Sequence, residues 1–131
     1  MQNTSKNNRK YLLLCHLIFV TKYRRNIFNH NALEKYLIDY IRTLERNFKI
    51  IDLKTDKNHI HFLIEYEPNI SISQIVRHLK QLSTVELWKK YGNILNVNYW
   101  KEHTLWSDGY FVCSIGNSNP ETIKNYIKNQ G

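Results

Sequence analysis

Two runs of strand-forming residues, 49–55 and 59–66, are separated only by Asp56, Lys57 and Asn58. Those three side chains suit a tight turn, so the pair reads as a β-hairpin. A hairpin in the middle of a chain needs more strands or a helix to be stable. The flanking segments supply both. Upstream, residues 11–20 form a run rich in Leu, Ile and Val that predicts a buried strand. From Asn31 the residues Leu33, Tyr36, Leu37, Tyr40, Ile41, Leu44 and Phe48 recur at three- and four-residue steps. That spacing describes the buried face of an amphipathic helix, with Arg42 and Arg46 off the stripe.

Downstream, Ser71 followed by Gln74 is a capping-box pattern that opens a second stripe of Ile72, Ile75, Val76, Leu79, Leu82 and Val85. Gly92 is expected to stop this helix, leaving residues 93–108 irregular before a last strand around 110–115. Asn119 and Pro120 supply an N-cap and a first-turn proline for a terminal helix ending near Gln130. The order β, α, β, β, α, β plus one helix predicts an α+β fold. The expected architecture is ferredoxin-like (RRM-like), an antiparallel sheet with helices on one face and an added C-terminal helix. The 131 residues suit one domain, with residues 1–10 a loose polar arm.

Arg9 and Lys10 before the first apolar run imitate a secretory signal. His16 interrupts that run, no small-residue cleavage site follows, and it is too short to cross a membrane. Cys15 and Cys113 each lie in an apolar stretch and read as buried hydrophobes in a reducing compartment, so a cytoplasmic address is expected. Nineteen Lys and Arg against eleven Asp and Glu leave a net charge of +8, which favours a polyanionic partner. Nine tyrosines add rings that can stack on unpaired bases.

His59 and His61 are two apart in a predicted strand, so both rings project from one face and can hold one divalent cation through neutral nitrogens. Ile60 between them points to the apolar side. The same triplet is compatible with surface or packed histidines. Tyr126 and Gln130, one turn apart on the terminal helix, share a stripe with Ile123 and Ile127. They are equally compatible with a core aromatic and a fraying helix end. Taken together, the two fragments suggest one site. A metal on His59, His61 and the Gln130 amide oxygen polarises a phosphodiester while the Tyr126 oxygen attacks phosphorus. A phenol has a pKa of about 10 and gains from a nearby cation. Amide and phosphate oxygens are hard ligands, which favours Mg²⁺ or Mn²⁺ over Zn²⁺.

His59-Ile60-His61 in a hairpin strand and Tyr126-Ile127-Lys128-Asn129-Gln130 in a terminal helix resemble the single-tyrosine HUH transposases of small bacterial insertion sequences, the IS-two-hundred-like transposases. Lys22-Tyr23-Arg24-Arg25, Thr55-Asp56-Lys57-Asn58 and the run Leu105-Trp106-Ser107-Asp108-Gly109-Tyr110-Phe111-Val112 extend the similarity in the family's order. The resemblance implies cleavage and rejoining of single-stranded DNA at element ends, with a 5′-phosphotyrosyl link and a free 3′-hydroxyl. It implies metal-binding His59, His61 and Gln130, Tyr126 as nucleophile, hairpin DNA as substrate, and a nucleoid-associated homodimer that exchanges its tyrosine helix. Lys22, Arg24, Arg25, Arg77 and Lys80 are candidate DNA contacts, each equally readable as a solvated charge. Asn58 replaces an Asp common before the first histidine, which alters hydrogen bonding around the site. The chain ends one residue past Gln130, where many members continue, leaving a truncated copy as an alternative.

Three other readings stand beside this one. A non-catalytic nucleic-acid-binding module uses the same topology, although the aromatic and glycine signature of RNA-recognition strands is missing. A host-adopted relative would process repeat hairpins instead of moving its own element. A zinc hydrolase on His59, His61 and His103 lacks a nearby general base. His16, His30 and His78 have no spacing partner and receive no role.

Overall fold

The hairpin forms one side of a four-stranded sheet. The computed structural model describes residues 11–129, so the predicted arm at 1–10 lies outside the described residues, as does Gln130. The strands are β1 (Leu13–Val20), β2 (Phe48–Asp56), β3 (His59–Tyr66) and β4 (Phe111–Asn117), and the helices α1 (Asn31–Arg42), α2 (Ile72–Tyr99) and α3 (Pro120–Asn129). Sheet order is β2-β3-β1-β4, with every neighbouring pair antiparallel. This is the expected ferredoxin-like arrangement. Asp56 pairs with His59, so the turn is only Lys57 and Asn58, with Lys57 at φ 41°.

Strand alternation divides the sheet into two faces. Cys15, Leu17 and Phe19 of β1 join Ile60, Phe62 and Ile64 of β3 in the core, with Leu33, Leu37 and Ile41 of α1 and Ile75 and Leu79 of α2. Phe19 meets both Phe62 and Trp106 edge-on. The buried Trp106 indole N–H donates to the Ser83 hydroxyl at 3.0 Å, so neither polar group is buried unsatisfied.

α1 ends at Arg42, before its predicted stripe does. Leu44 falls in the following turn and Phe48 opens β2, yet both are buried, so core positions of another backbone mimic helical spacing. The α2 capping box forms in full: the Gln74 N–H donates to Ser71 Oγ at 3.1 Å and the Ser71 N–H to Gln74 Oε1 at 2.8 Å. The buried stripe of α2 runs through Leu79, Ser83 and Leu87, which turns Val85 to solvent against expectation.

Gly92 does not end α2. The backbone leaves helical geometry at Tyr91 (φ −127°, ψ 34°) and then resumes, because Leu95 and Tyr99, four apart, bury against the same core. Residues 93–99, expected to be irregular, are therefore helical. At Gly92 an added Cβ would meet only the Trp88 ring, at 3.9 Å. Gly92→Ala is accordingly predicted to raise unfolding stability by about 0.5–1 kcal/mol, through the smaller entropy of the unfolded chain. Urea unfolding checks this, and a lowered midpoint would mean that the Tyr91 kink depends on glycine.

Candidate active site on the open face of the sheet

The face of the sheet turned away from α1 and α2 carries the polar residues. Val20 pairs with His59, Ile18 with His61 and His16 with Leu63, and β4 sets Cys113 beside His16. β2 contributes Lys54 opposite His61 and Asp56 opposite His59. The register between Leu14 and Cys15 shifts against β4, leaving Ile115 as the extra residue, and Gly116 next to it adopts φ +107°. An L side chain is strained there, so this bulge needs its glycine to carry the chain out of the sheet. Asn119 Oδ1 then accepts the Thr122 N–H at 2.8 Å, the predicted N-cap, and α3 begins.

α3 brings Tyr126 to the histidine face. Its ring meets that of His16 edge-on, with centroids 5.6 Å apart and planes inclined 62°. His16 in turn faces His61 at 5.5 Å between centroids, with Nε2 3.4 Å from His61 Nδ1, and His61 lies 6.1 Å from His59. Tyr126, His16, His61 and His59 thus form a continuous row of rings on one chain. Ile123 of the same stripe is half-buried while Ile127 is 40% exposed.

Burial lowers the pKa of His16 below the usual histidine value. His61 is lowered too, first by burial and then by His16, His59 and Lys54, against an opposing pull from Asp56. Both shifts favour neutral imidazole, the form with a lone pair for a cation. Among the described residues no group of three or more His, Cys, Asp or Glu side chains is placed to hold a metal ion. His59 and His61 on one face offer two imidazole nitrogens, donor types that suit a divalent cation with its remaining ligands from elsewhere.

The basic turn adjoins this row. The Thr21 N–H donates to Asn58 O at 2.9 Å, the Asn58 amide to Arg24 O at 3.3 Å and the Lys22 N–H to Leu105 O at 2.8 Å. Lys22, Arg24 and Arg25 are thereby fixed at the end of the sheet next to His59. Tyr23 and Arg24 both take positive φ (58° and 53°), and Lys22 and Arg25 lie over the Tyr23 ring. A cleft of about 210 Å³ opens between Arg24, Tyr110 and Phe111. Arg77 is exposed on α2. Lys80, also on α2, donates to Ser107 O at 2.8 Å and Gly109 O at 2.6 Å, so its ammonium pins the loop before β4.

The remaining predicted residues separate. His103 stacks on Trp88 at 4.2 Å, so its ring is engaged on α2 and not in the row of histidines. His78 contacts Leu44 O at 2.9 Å. Cys15 is buried, with its thiol pushed up to about 11 by desolvation and by Cys113. Cys113 is exposed, contrary to expectation, because it lies on the edge strand β4. His16 is the residue that sequence reasoning missed.

The fold and this row of rings define a class: ferredoxin-like α+β domains with histidines on the open sheet face and a tyrosine on the helix that reaches it. Within that class, the family described as "Transposase IS200 like" matches residues 9–130, and the chain belongs to it. Among its relatives, the transposase of insertion sequence IS200 from Salmonella typhimurium is 32% identical over 117 residues, 88% of this chain and 74% of that protein. The ISDra2 transposase TnpA of Deinococcus radiodurans is 25% identical over 92% of this chain and 85% of its own length. A crystal structure of a protein assigned as a transposase, from the same bacterium, has a TM-score of 0.74 at 25% identity, covering 99% of this chain and 98% of the other. A REP-associated tyrosine transposase bound to a REP hairpin shares the fold at 15% identity, with a TM-score of 0.53 over 97% of this chain and 68% of that one. Membership makes the chain a transposase of the IS200 type, and so a DNA-cleaving enzyme. Among the described residues no helix is long and apolar enough to cross a membrane.

Proposed function

We propose that this transposase cuts and rejoins single-stranded DNA at the hairpin ends of its element, with Tyr126 as nucleophile. The observation that carries the reading is the row of rings from Tyr126 through His16 and His61 to His59. The Tyr126 oxygen attacks the scissile phosphorus, an O–P bond forms, and the bond to the 3′-oxygen breaks. The 3′-oxygen takes a proton and leaves as a hydroxyl, while the 5′-phosphate stays on tyrosine. Attack by a 3′-hydroxyl on that ester later reverses the exchange, so no energy cofactor is needed. Mg²⁺ or Mn²⁺ held by His59, His61 and Gln130 would supply Lewis-acid polarisation of the phosphodiester. Gln130 lies outside the described residues and enters through the resemblance. The host-adopted reading differs only in whose hairpins are cut.

The test is direct. Protein, Mn²⁺ and single-stranded hairpin DNA from the sequence flanking the gene, labelled at its 3′ end, are run on a denaturing gel. A labelled band at the mass of protein plus DNA, absent with EDTA, is expected. Cleavage without any such band would replace the phosphotyrosyl route by hydrolysis.

The basic turn accounts for DNA affinity in this reading. Lys22 stands half-exposed and Arg24 and Arg25 exposed, next to the histidine face. Arg25→Ala should weaken hairpin binding and reduce the salt dependence by about one phosphate contact, a slope change near 0.7–0.9. Fluorescence anisotropy across a salt series measures this, and an unchanged slope would remove Arg25 from the interface.

The edge strand β4 supports pairing with a second copy, since Phe111 is 64% exposed and Val112 43%, with ladder groups open on one side. Helix exchange between the two copies belongs to the same proposal.

A further inference from the structure

His16 has no role in the chemistry proposed above, yet it touches both halves of it. It sits on β1, diagonal to His61 across the β1–β3 pair, where long side chains still reach one another. The two rings are inclined by only 22°. Their 5.5 Å centroid separation is close to the 3.4 Å nitrogen gap plus a ring radius on either side. The rings therefore meet edge to edge in nearly one plane, nitrogen facing nitrogen, and are not stacked face to face. At 3.4 Å the contact lies at the long end of hydrogen bonding.

A neutral imidazole has one N–H and one lone pair. His61 presents Nδ1 to His16, so the nitrogen left for a cation is Nε2. That nitrogen carries a lone pair only when the proton sits on Nδ1, and the proton then needs an acceptor. We infer that His16 is a positioning residue that accepts the His61 Nδ1–H on its own Nε2 and thereby fixes the tautomer and direction of His61. Histidine ligands commonly donate their second nitrogen to such a partner. Here the partner is a third imidazole whose ring edge also rests against Tyr126, so one side chain sets the spacing between tyrosine and ligand. The inference rests on the metal-binding reading of His61.

Two measurements on the full chain test it without reference to cleavage. The first is Mn²⁺ affinity, read from the loss of the free-ion EPR signal. His16→Leu should weaken binding about 10–100-fold. His16→Gln, whose side-chain oxygen can take the place of Nε2, should restore most of that loss. A merely structural role predicts no such rescue. His61→Ala is the benchmark. If it loses Mn²⁺ while His16→Leu binds as the parent does, His16 has no positioning role and the metal reading survives. If His61→Ala keeps Mn²⁺ affinity, both fall. The second measurement needs no variant: nitrogen chemical shifts of His61 in the metal-free chain should report a proton on Nδ1. The opposite tautomer overturns the inference even if His16→Leu fails to fold.

Discussion

Tyr126→Phe is expected to abolish the covalent protein–DNA adduct and to lower strand cleavage by roughly 10³-fold or more, the scale of losing a nucleophile. The substitution is a clean one. Phenylalanine keeps the ring edge that meets His16 and the helical backbone of α3, and removes only the oxygen that would attack phosphorus. Hairpin binding should persist, because Lys22, Arg24 and Arg25 are fixed by Thr21, Asn58 and Leu105 and not by α3. Gel detection of the adduct beside an anisotropy titration separates the two effects. An adduct that survives in the phenylalanine protein would assign the nucleophile elsewhere. Loss of binding together with the adduct would place the phenol in substrate recognition.

The elements that sequence made legible are those whose signals are local. The Ser71–Gln74 capping box and the Asn119 cap are short-range hydrogen-bonding devices, and both are present; the turn expected over Asp56, Lys57 and Asn58 is there too, tightened to Lys57 and Asn58. Errors arose where a local signal met a tertiary one. Gly92 is a weak stop, and burial of Leu95 and Tyr99 on the far side of the Tyr91 kink outweighs it. Leu44 and Phe48 fit a helical period because the turn after α1 and the start of β2 point into the same core. Cys113 looked buried because Phe111, Val112 and Ile115 surround it in sequence, but only sheet order reveals that β4 is an edge.

The site was legible in the same uneven way. His59 and His61 share one face of β3 as their spacing predicts, since strand alternation alone decides it. The meeting of Tyr126 with that face depends on the bulge at Gly116, a feature of pairing and not of spacing. His16 was invisible for the same reason. Its position between Cys15 and Leu17 marks it as facing away from the core, but its nearness to His61 follows from a register of 45 residues' separation. Lys80 shows the converse: a basic residue on an exposed-looking helix position that the fold commits to two loop carbonyls.

His61→Ala should likewise suppress cleavage, by roughly 10²-fold or more, if the imidazole holds the cation that stabilises charge on phosphorus. The more telling experiment mixes this chain with Tyr126→Phe. In the isolated chain α3 rests on its own sheet, with Ile123 and Tyr126 half-buried and the Tyr126 ring edge-on to His16. Exchange would carry the helix to the equivalent seat on a second copy, and the exposed Phe111 and Val112 on β4 offer that copy a place to dock. With exchange, a mixed dimer unites the intact His61 of one chain with the intact Tyr126 of the other, and random pairing leaves about a quarter of all sites whole. Recovery of cleavage toward that level, from two proteins that are each inactive, is the expected result. Continued silence in mixtures shown to contain mixed dimers would mean that each site is built within one chain, with Tyr126 acting where it now lies beside His16.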